Sequence, residues 1–471
     1  MTRHHYHGIA CSVLLTTLLT SSCSLHTPYQ SPVLPSPAQW QEKTSNTDAI
    51  NLQSWWTGFG DKELDALVTE ALQSSLDLKQ AQMRIAQARA DLEMAGAAHF
   101  PAVNTGGSIT RSDSSNTIST GGKAPLVGGP TTIYKAGFDA SWEIDWLGRT
   151  QRGIDAAQAR YDASVEDLRA AQITLLGEVA GTYIALRNNQ QQYALAEKNL
   201  ALQRNTLAIT QERYAHGLTS YLDVTQAQAQ LAATEAVLPA YAAASKASMR
   251  ELAILLGYAP DALQTRLATV VAIPSVDKVS VNILPSDLLT QRPDLRREER
   301  KLAAASADIG IAKTARYPAF DLTMGIGLQS SNAARFADIG SRYWSLVPAL
   351  SLPIFDGGKI SANVDKKQAM FDEARLHYED VFHKALQDVE NALASFYAES
   401  MRSNTLRESE SFAEMSVTIA QQRYEKGIDN FLNVLVAEKN LYAIQSSRLQ
   451  ADANRATAAV ALYKALGGGW Y

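Results

Sequence analysis

The stretch "RYAHGLTSYLDV", Arg213–Val224, returns later in the chain as "RYEKGIDNFLNV", Arg423–Val434. The glycines of the two copies, Gly217 and Gly427, lie 210 positions apart. A glycine in this place supplies the left-handed residue that ends a helix, and the polar residues after it can cap the start of the next helix. Each copy therefore predicts a tight helical hairpin, and the chain carries two of them.

A long helix is predicted before each turn and a shorter one after it. The long helices run from Gly148 to about Tyr214 and from Gly358 to about Tyr424, without internal proline. At about 1.5 Å per residue each would reach roughly 100 Å, far beyond the length of a globular helix. The returning helices are expected at about 220–256 and 430–466.

A seven-residue repeat along the first long helix is the pattern of a coiled-coil seam. Its members are Val179, Leu186, Tyr193, Leu200, Leu207 and Tyr214. The second long helix keeps the apolar positions at Val389, Phe396, Val417 and Tyr424. Because Ser403 and Glu410 interrupt them, the middle of that helix is expected to pack differently.

The duplication extends beyond the turns. Residues 76–103 align without gaps on residues 293–320 at an offset of 217, and after about residue 141 the offset is 210. The difference places an insertion between these segments, which we locate in the Gly/Ser/Pro-rich stretch 112–130 and interpret as a surface loop.

Four segments between the helices alternate apolar and polar residues, which indicates β-strands. They lie at about 103–112, 133–145, 320–330 and 342–354, with the large apolar residues at even positions in the last three. About ten residues is the length of a tilted bilayer-spanning strand. A half-buried soluble sheet shows the same alternation. No other segment offers a globular partner, so lipid is the favoured partner of the apolar face.

Four strands cannot close a membrane barrel, which begins at about eight strands. Open edges in hydrocarbon would leave backbone groups unpaired, so several chains must share one barrel. Three chains would give twelve strands, and the pattern alone also permits two or four. The predicted fold is mainly α with a membrane β-barrel: a long coiled-coil duct, four strands per chain and two internal repeats.

The N-terminus predicts export and an anchor. Residues 1–22 have a basic start, a short apolar core and small residues, as in a signal peptide. "TSSC" before and at Cys23 resembles a lipoprotein processing box, so lipid is expected on this thiol, with ordinary cleavage as the alternative. The proline-containing residues 23–54 are expected to form a lipid-anchored linker.

The composition argues against several functions. A net charge of −5 and a pI near 6.0 give no reason to expect nucleic acid binding. His377 and His383 are six residues apart, which does not place them together as metal ligands on one helix face. No nucleophile elbow or phosphate loop is found, so neither an enzyme, a metal site nor a cofactor is predicted.

The chain resembles the TolC-type outer-membrane efflux channels, in particular their lipid-anchored, NodT-like branch. The resemblance covers nearly all of the mature chain and rests on the paired turns and on "WWTGFGDKELDALV", "QRPDL", "HFPAV" with "RYPAF", and "DWLGR" with "FDGGK". It implies a homotrimer with a twelve-stranded barrel in outer-membrane lipid and a helical duct in the periplasm. It also implies repeats at 55–257 and 286–471, joined by an equatorial segment at 258–285.

The implied role is a passive exit duct for small toxic compounds, docked to a periplasmic adaptor and an inner-membrane pump. A type I secretion duct and a periplasmic coiled-coil scaffold or adaptor lipoprotein are the alternatives. The scaffold would explain the helices but not the strands, and the sequence does not identify the cargo.

The two turns are the predicted functional site. The adaptor is expected to dock at six residues of the turns: Arg213, Tyr214, Gly217, Arg423, Tyr424 and Gly427. By the resemblance, the narrowest part of the duct is expected at Leu222, Asp223, Leu432 and Asn433. Asp223 has a second expected role as a capping carboxylate. Because Asn433 and Val436 stand where many relatives have acidic residues, a mainly apolar constriction is expected.

Overall fold

The computed structural model describes residues 29–42, 52–113, 130–276, 279 and 284–470. Cys23, the signal peptide and residues 114–129 of the predicted loop lie outside this part of the chain. The described residues form two compact units. The first lies within Met1–Pro32, Ala86–Asp162 and Glu299–Leu376, and the second within Val33–Ile85, Ala163–Glu298 and His377–Tyr471.

The helices dominate the described residues. They are α1 (Lys62–Ser74), α2 (Leu76–Ala97), α3 (Arg149–Ala215), α4 (Tyr221–Glu235), α5 (Leu238–Leu255), α6 (Leu288–Gln291), α7 (Pro293–Thr314), α8 (Lys359–Glu425) and α9 (Phe431–Ala465). A 3-10 helix, Leu52–Phe59, precedes α1. The two predicted long helices are confirmed, because α3 and α8 each contain 67 residues. In the described part of the chain, no helix combines the length and the apolar character needed to cross a membrane.

The first returning helix differs from its prediction. The prediction of a single helix over residues 220–256 was wrong, because the helix is interrupted at Ala236 and Val237, between α4 and α5. Pro239 lies in the first turn of α5, where it lacks an N–H group and its ring would clash with a preceding helical carbonyl. The second returning helix, α9, is continuous, and Leu449 lies 210 positions after Pro239.

The strands are β1 (Ala102–Ser112), β2 (Thr131–Glu143), β3 (Ala319–Ser330) and β4 (Arg342–Ser351), and they form one antiparallel sheet in that order. The fourth strand was predicted to reach residue 354, which is wrong. Pro353 has no N–H group and restricts the backbone of Leu352 before it, so the strand stops at Ser351.

The alternation predicted for the strands is confirmed by their register. Phe138 lies opposite Ile326, and Ile326 lies opposite Trp344, so even positions of β2, β3 and β4 share one face. These three side chains are 57%, 62% and 79% exposed. On the other face Asp139 lies opposite Gly325. The sheet therefore has one apolar and one polar face.

The two hairpins have the same register. Val103 lies opposite Ala140 in the first, and Phe320 lies opposite Leu350 in the second. These partners differ by the offsets of 217 and 210 that align the sequence halves. Each hairpin therefore pairs equivalent residues.

Gly137 and Gly327 lie opposite each other on β2 and β3, where the backbone of the neighbouring strand and the ring of Tyr343 leave no room for a side chain. A Cβ atom at Gly137 or Gly327 would lie 3.0 Å from atoms of this side chain and closer still to backbone atoms of the neighbouring strand. The Nζ of Lys135 lies 5.1 Å from the centre of the same ring. The small residues thus give the aromatic ring its place on the polar face.

The interruption in the second coiled-coil seam is confirmed. The buried Ser403 donates a hydrogen bond to the Asp452 carboxylate, and Glu410 forms an ion pair with Arg448. Arg448 also contacts Asp452 at 3.1 Å. In the first long helix, by contrast, Val179, Leu186 and Leu200 are buried apolar side chains.

The segment between the two halves packs on the middle of α3. Gln190 donates to the Leu267 carbonyl at 2.7 Å, and Arg187 donates to the Thr269 carbonyl at 2.8 Å. Arg187 also stacks on the ring of Tyr183, with 4.7 Å between its Cζ and the ring centre. Side chains of a long helix thereby hold part of the predicted equatorial segment 258–285.

Candidate functional site

Both turns have the predicted glycine geometry. Gly217 has a φ of 70° and Gly427 a φ of 68°, the left-handed region that other residues rarely adopt. The N–H of the next residue reaches back to a helix carbonyl at 2.9 Å, from Leu218 to Arg213 and from Ile428 to Arg423. This is the Schellman arrangement, which satisfies carbonyls at the end of a helix.

The first turn starts its returning helix with a capping box. The Asp223 N–H donates to the Ser220 hydroxyl at 3.4 Å, and the Ser220 N–H donates to the Asp223 carboxylate at 3.4 Å. The Thr219 hydroxyl donates to the same carboxylate. The expected capping role of Asp223 is therefore confirmed.

The second turn uses different residues for the same purpose. Asn430 caps α9 by accepting the Asn433 N–H at 3.3 Å. Asp429 accepts from the Asn430 N–H at 2.9 Å, the Asn433 amide at 2.6 Å and Arg423 Nε at 3.2 Å. All three donors lower the pKa of the Asp429 carboxyl, and the backbone N–H of Asn430 has the largest effect. A stable anion therefore lies at this turn, one residue before the cap.

The structure brings Arg213 of the first turn onto the second. Its guanidinium lies 4.7 Å from the centre of the Tyr424 ring, and its Nη1 donates to the Glu425 carbonyl at 3.2 Å. A cation over a tyrosine face contributes about 0.5–2 kcal/mol, depending on its desolvation. Arg213 thus joins the two turns of one chain.

An apolar cluster, which we call the tip core, lies beside this contact. It contains Tyr424, Phe431, Val434 and Ala227, of which Phe431 is only 1% exposed. The rings of Tyr424 and Phe431 meet edge to face at 5.8 Å. Leu207, Ile209, Ala420 and Leu435 pack around these residues.

A buried carboxyl group lies on α9, two helical turns after Phe431. Glu438 is 2% exposed and accepts hydrogen bonds from Thr206 at 2.7 Å and Gln421 at 3.0 Å. Burial raises the pKa of the Glu438 carboxyl, and the two hydrogen bonds lower it in part. Because both donors are neutral, they offset only part of the effect of burial, and folding shifts the equilibrium of this carboxyl group towards its protonated form.

Sequence reasoning missed a row of buried polar side chains on α3, of which Thr206 donates a hydrogen bond to Glu438 of α9. Asn199, Gln203, Thr206 and Thr210 are buried and recur at spacings of four and three. That is a heptad seam made of polar residues, and an apolar periodicity cannot reveal it. A search for residues at alternating spacings of three and four, whatever their polarity, would have included these positions.

The residues predicted to narrow the duct are mostly exposed in the single chain. Leu222 is 62% exposed, Leu432 is 51% exposed and Val436 is 47% exposed. Asp223 is half-buried in its capping box, and Asn433 is exposed beside Asp429. The turns therefore present apolar side chains that the fold of one chain leaves uncovered.

Known proteins are similar to this chain over nearly its whole length. The family model for outer membrane efflux proteins matches residues 67–258 and 284–468. The probable efflux pump outer membrane protein SepC of Pseudomonas putida is 32% identical in an alignment of 482 positions that covers 99% of this chain and 97% of SepC. The outer membrane protein OprJ of Pseudomonas aeruginosa is 30% identical over 462 residues, covering 98% and 95% of the two chains.

Solved structures agree with these matches. The outer-membrane channel OprN superimposes with a TM-score of 0.88 at 28% identity, covering 95% of this chain and 100% of OprN. The channel CusC superimposes with a TM-score of 0.82 at 28% identity, over 95% and 100% of the two chains. With both long helices, the four-stranded sheet and the paired turns in place, the chain belongs to the outer membrane efflux protein family, whose members are channels and not enzymes.

Proposed function

We propose that three copies of this chain form the outer-membrane exit duct of a tripartite efflux system, joined to a periplasmic adaptor and an inner-membrane pump. The observation that carries the proposal is a four-stranded sheet with one apolar face and two terminal strands, β1 and β4. Relatives include a toluene efflux pump protein and a cation efflux system protein. We infer that the cargo is a small toxic compound selected mainly by the pump.

The proposed barrel accounts for the exposed side chains of the sheet. Trp344 and Ile326 would each forfeit about 1.5–3 kcal/mol if they stayed in water, so lipid is the favourable surrounding. Unpaired edges in hydrocarbon are costly, and pairing β4 of one copy with β1 of the next removes them. Three copies then supply the twelve strands of a closed barrel.

A charge on the apolar face tests the barrel. Met324→Asp should cost about 2–4 kcal/mol per site near the bilayer midplane, three times per trimer, and should reduce the folded trimer in outer-membrane fractions. Asp139→Asn changes the polar face of the neighbouring strand and is the matched control, with assembly retained. Equal impairment by the two substitutions would show that the faces are assigned wrongly.

The proposed periplasmic end of the duct lies at the two turns. Leu222 and Leu432 would form the narrowest, mainly apolar ring, and the turns from Arg213 to Gly217 and from Arg423 to Gly427 would present the docking surface for the adaptor. Their exposed apolar side chains support this proposal. Opening would shift the hairpins between two packed arrangements, and the adaptor must bind one of them more tightly.

The proposed anchor is a lipid on Cys23, which assists insertion of the barrel without determining it. The processing box before this residue supports the proposal. Mass spectrometry of the mature N-terminus should show acyl chains on Cys23. A mature chain cleaved elsewhere and free of acyl chains would rule the anchor out.

A further inference from the structure

The apolar face of the sheet carries charge at one of its two rims. Among the described strand residues, Arg111 of β1 and Arg342 of β4 are the charged positions on the face that Phe138 and Trp344 share. Both are exposed, and both lie at the end of the sheet that is away from the helices. Within the described part of the chain, neither guanidinium pairs with an acid. This rim therefore presents two cations for which the described residues supply no counter-ion.

The two arginines occupy equivalent rows of the two hairpins. Arg111 lies opposite Thr132 in the first hairpin, and Leu328 lies opposite Arg342 in the second. Leu328 follows Arg111 by 217 positions and Arg342 follows Thr132 by 210, which are the offsets of the repeat. Each hairpin thus has one arginine at the same level, and in each case it lies on a terminal strand of the sheet.

The repeat also predicts how the terminal strands pair in the proposed barrel. Ala136 of β2 lies opposite Leu328 of β3, where the two hairpins join. Applying the same offsets to the pairing of β4 with β1 of the next copy sets Leu346 opposite Arg111 of the partner subunit. Arg342 lies on the same face of β4 as Leu346. Both arginines are therefore expected at each junction between copies.

Trp344 lies between the two arginines at this junction. Arg342 is four residues before Leu346, which is about 13 Å along a strand, and Trp344 is the residue between them on the same face. Tryptophan is enriched at the level of the lipid headgroups. An arginine at that level also costs far less than one at the bilayer midplane. The rim thus has the composition of a headgroup contact.

The opposite rim of the apolar face is neutral. There Phe320 lies opposite Leu350, and Trp142 donates its indole N–H to the His99 carbonyl at 3.1 Å. The rim away from the helices is cationic by composition as well: residues 108–113, 130–135 and 328–343 contain four basic and two acidic side chains, a net charge of +2, although the whole chain carries −5. Such a difference suits a leaflet whose headgroups are anionic.

We infer that Arg342 of one copy and Arg111 of the partner subunit bind phosphate groups of a lipid headgroup in the outer leaflet; the inference rests on the proposed barrel. An arginine fork matches two oxygens of one phosphate and forms strong, charge-assisted hydrogen bonds with them. Trp344 lies between the two guanidinium groups, at the boundary between headgroup and acyl chains. The phosphates supply the counter-ions of the two cations at each junction.

Native mass spectrometry of the full-length protein in detergent tests the inference, because one spectrum shows both the trimer and its bound lipids. The probe is lipid A, whose headgroup carries phosphate groups. Phosphatidylethanolamine, whose own ammonium group compensates its phosphate, is the reference lipid. The test variant combines Arg111→Gln with Arg342→Gln. Lys135→Gln is the matched control, since it removes a cation at the same end of the sheet but on the polar face, where Lys135 lies over the ring of Tyr343.

The unmodified trimer should bind lipid A more tightly than phosphatidylethanolamine, and the double variant should lose about tenfold or more of its affinity for lipid A. Lys135→Gln should keep that affinity. Trimers of the double variant that bind lipid A as the unmodified trimer does, or an equal loss in Lys135→Gln, would overturn the inference while the proposed trimer stands. Monomers of the unmodified protein would overturn the proposed trimer itself.

The single variants keep the inference testable should the double variant fail to form trimers. Arg111→Gln and Arg342→Gln should each weaken the binding of lipid A by about threefold or more, because each removes one of the two phosphate contacts. Unchanged binding of lipid A by the trimers of both single variants would again contradict the inference.

Discussion

The two tips of this chain share a motif and differ in their surroundings. In the first, the rings of Tyr214 and Tyr221 lie 5.5 Å apart, tilted towards each other, and both side chains remain exposed. In the second, Tyr424 and Phe431 lie in the tip core under Arg213. A local motif therefore determines the turn, while the neighbouring helix determines whether its aromatic residues are buried.

The acidic residues of the tips differ as well. The first tip carries Asp223 inside its capping box, where it closes the start of α4. The second replaces it by Asn433 and places its acid at Asp429, which pairs with Arg423. The N-cap residue is neutral in both tips, Ser220 in the first and Asn430 in the second, and its backbone N–H donates to Asp223 in the first tip and to Asp429 in the second.

The largest difference between the tips should appear when their equivalent tyrosines are truncated. Tyr424→Ala removes a buried ring and the stacking of Arg213, and should lower the local opening free energy by about 3–5 kcal/mol. Hydrogen exchange of the amides in the last turns of α8 and the first turns of α9 measures this loss.

Tyr214→Ala is the matched control for this measurement. It should leave those α8 and α9 amides protected, because Tyr214 contributes nothing to the tip core of its own chain. Equal loss of α9 protection in both variants would show that the tips are not organised differently.

A smaller effect is expected from Glu438, which has no acidic equivalent in the first half because Gln228 lies there. Burial raises its pKa, so the folded protein binds this proton more tightly than the unfolded chain does. The free energy of unfolding should fall as the pH rises from the usual glutamate range through the raised value. Glu438→Gln should flatten this dependence in thermal unfolding.

The control for the pH dependence is Glu414→Gln, at an exposed position of α8. The free energy of unfolding of this variant should depend on pH as it does in the unmodified protein. Identical slopes for Glu438→Gln and the unmodified protein would mean that the buried carboxyl group does not titrate differently on folding.

The sequence predicted those features that depend on local chemistry. The glycine turns at Gly217 and Gly427, the capping role of Asp223 and the alternation in the strands follow from residue types at fixed spacing. Two boundaries were wrong where prolines act locally, at Pro239 in the first returning helix and at Pro353 after the last strand.

Packing between distant helices could not be predicted in the same way. The contact of Arg213 with Tyr424 joins residues more than 200 positions apart, and its repeat-equivalent Arg423 has different partners within the chain. Glu438 was missed because buried polar seams lack the apolar pattern that identifies a core. Both features depend on which helix lies beside which, and a single sequence does not contain that information.

Single-channel conductance in planar bilayers, measured without an adaptor, tests most directly the claim that an apolar ring at the tips closes the duct. Leu432→Ser should raise the conductance, because it replaces an exposed apolar side chain of the proposed ring by a small polar one. Asn433→Ala, at the next position, should change it less. An unaltered closed-state conductance for Leu432→Ser would contradict the apolar closure of the duct.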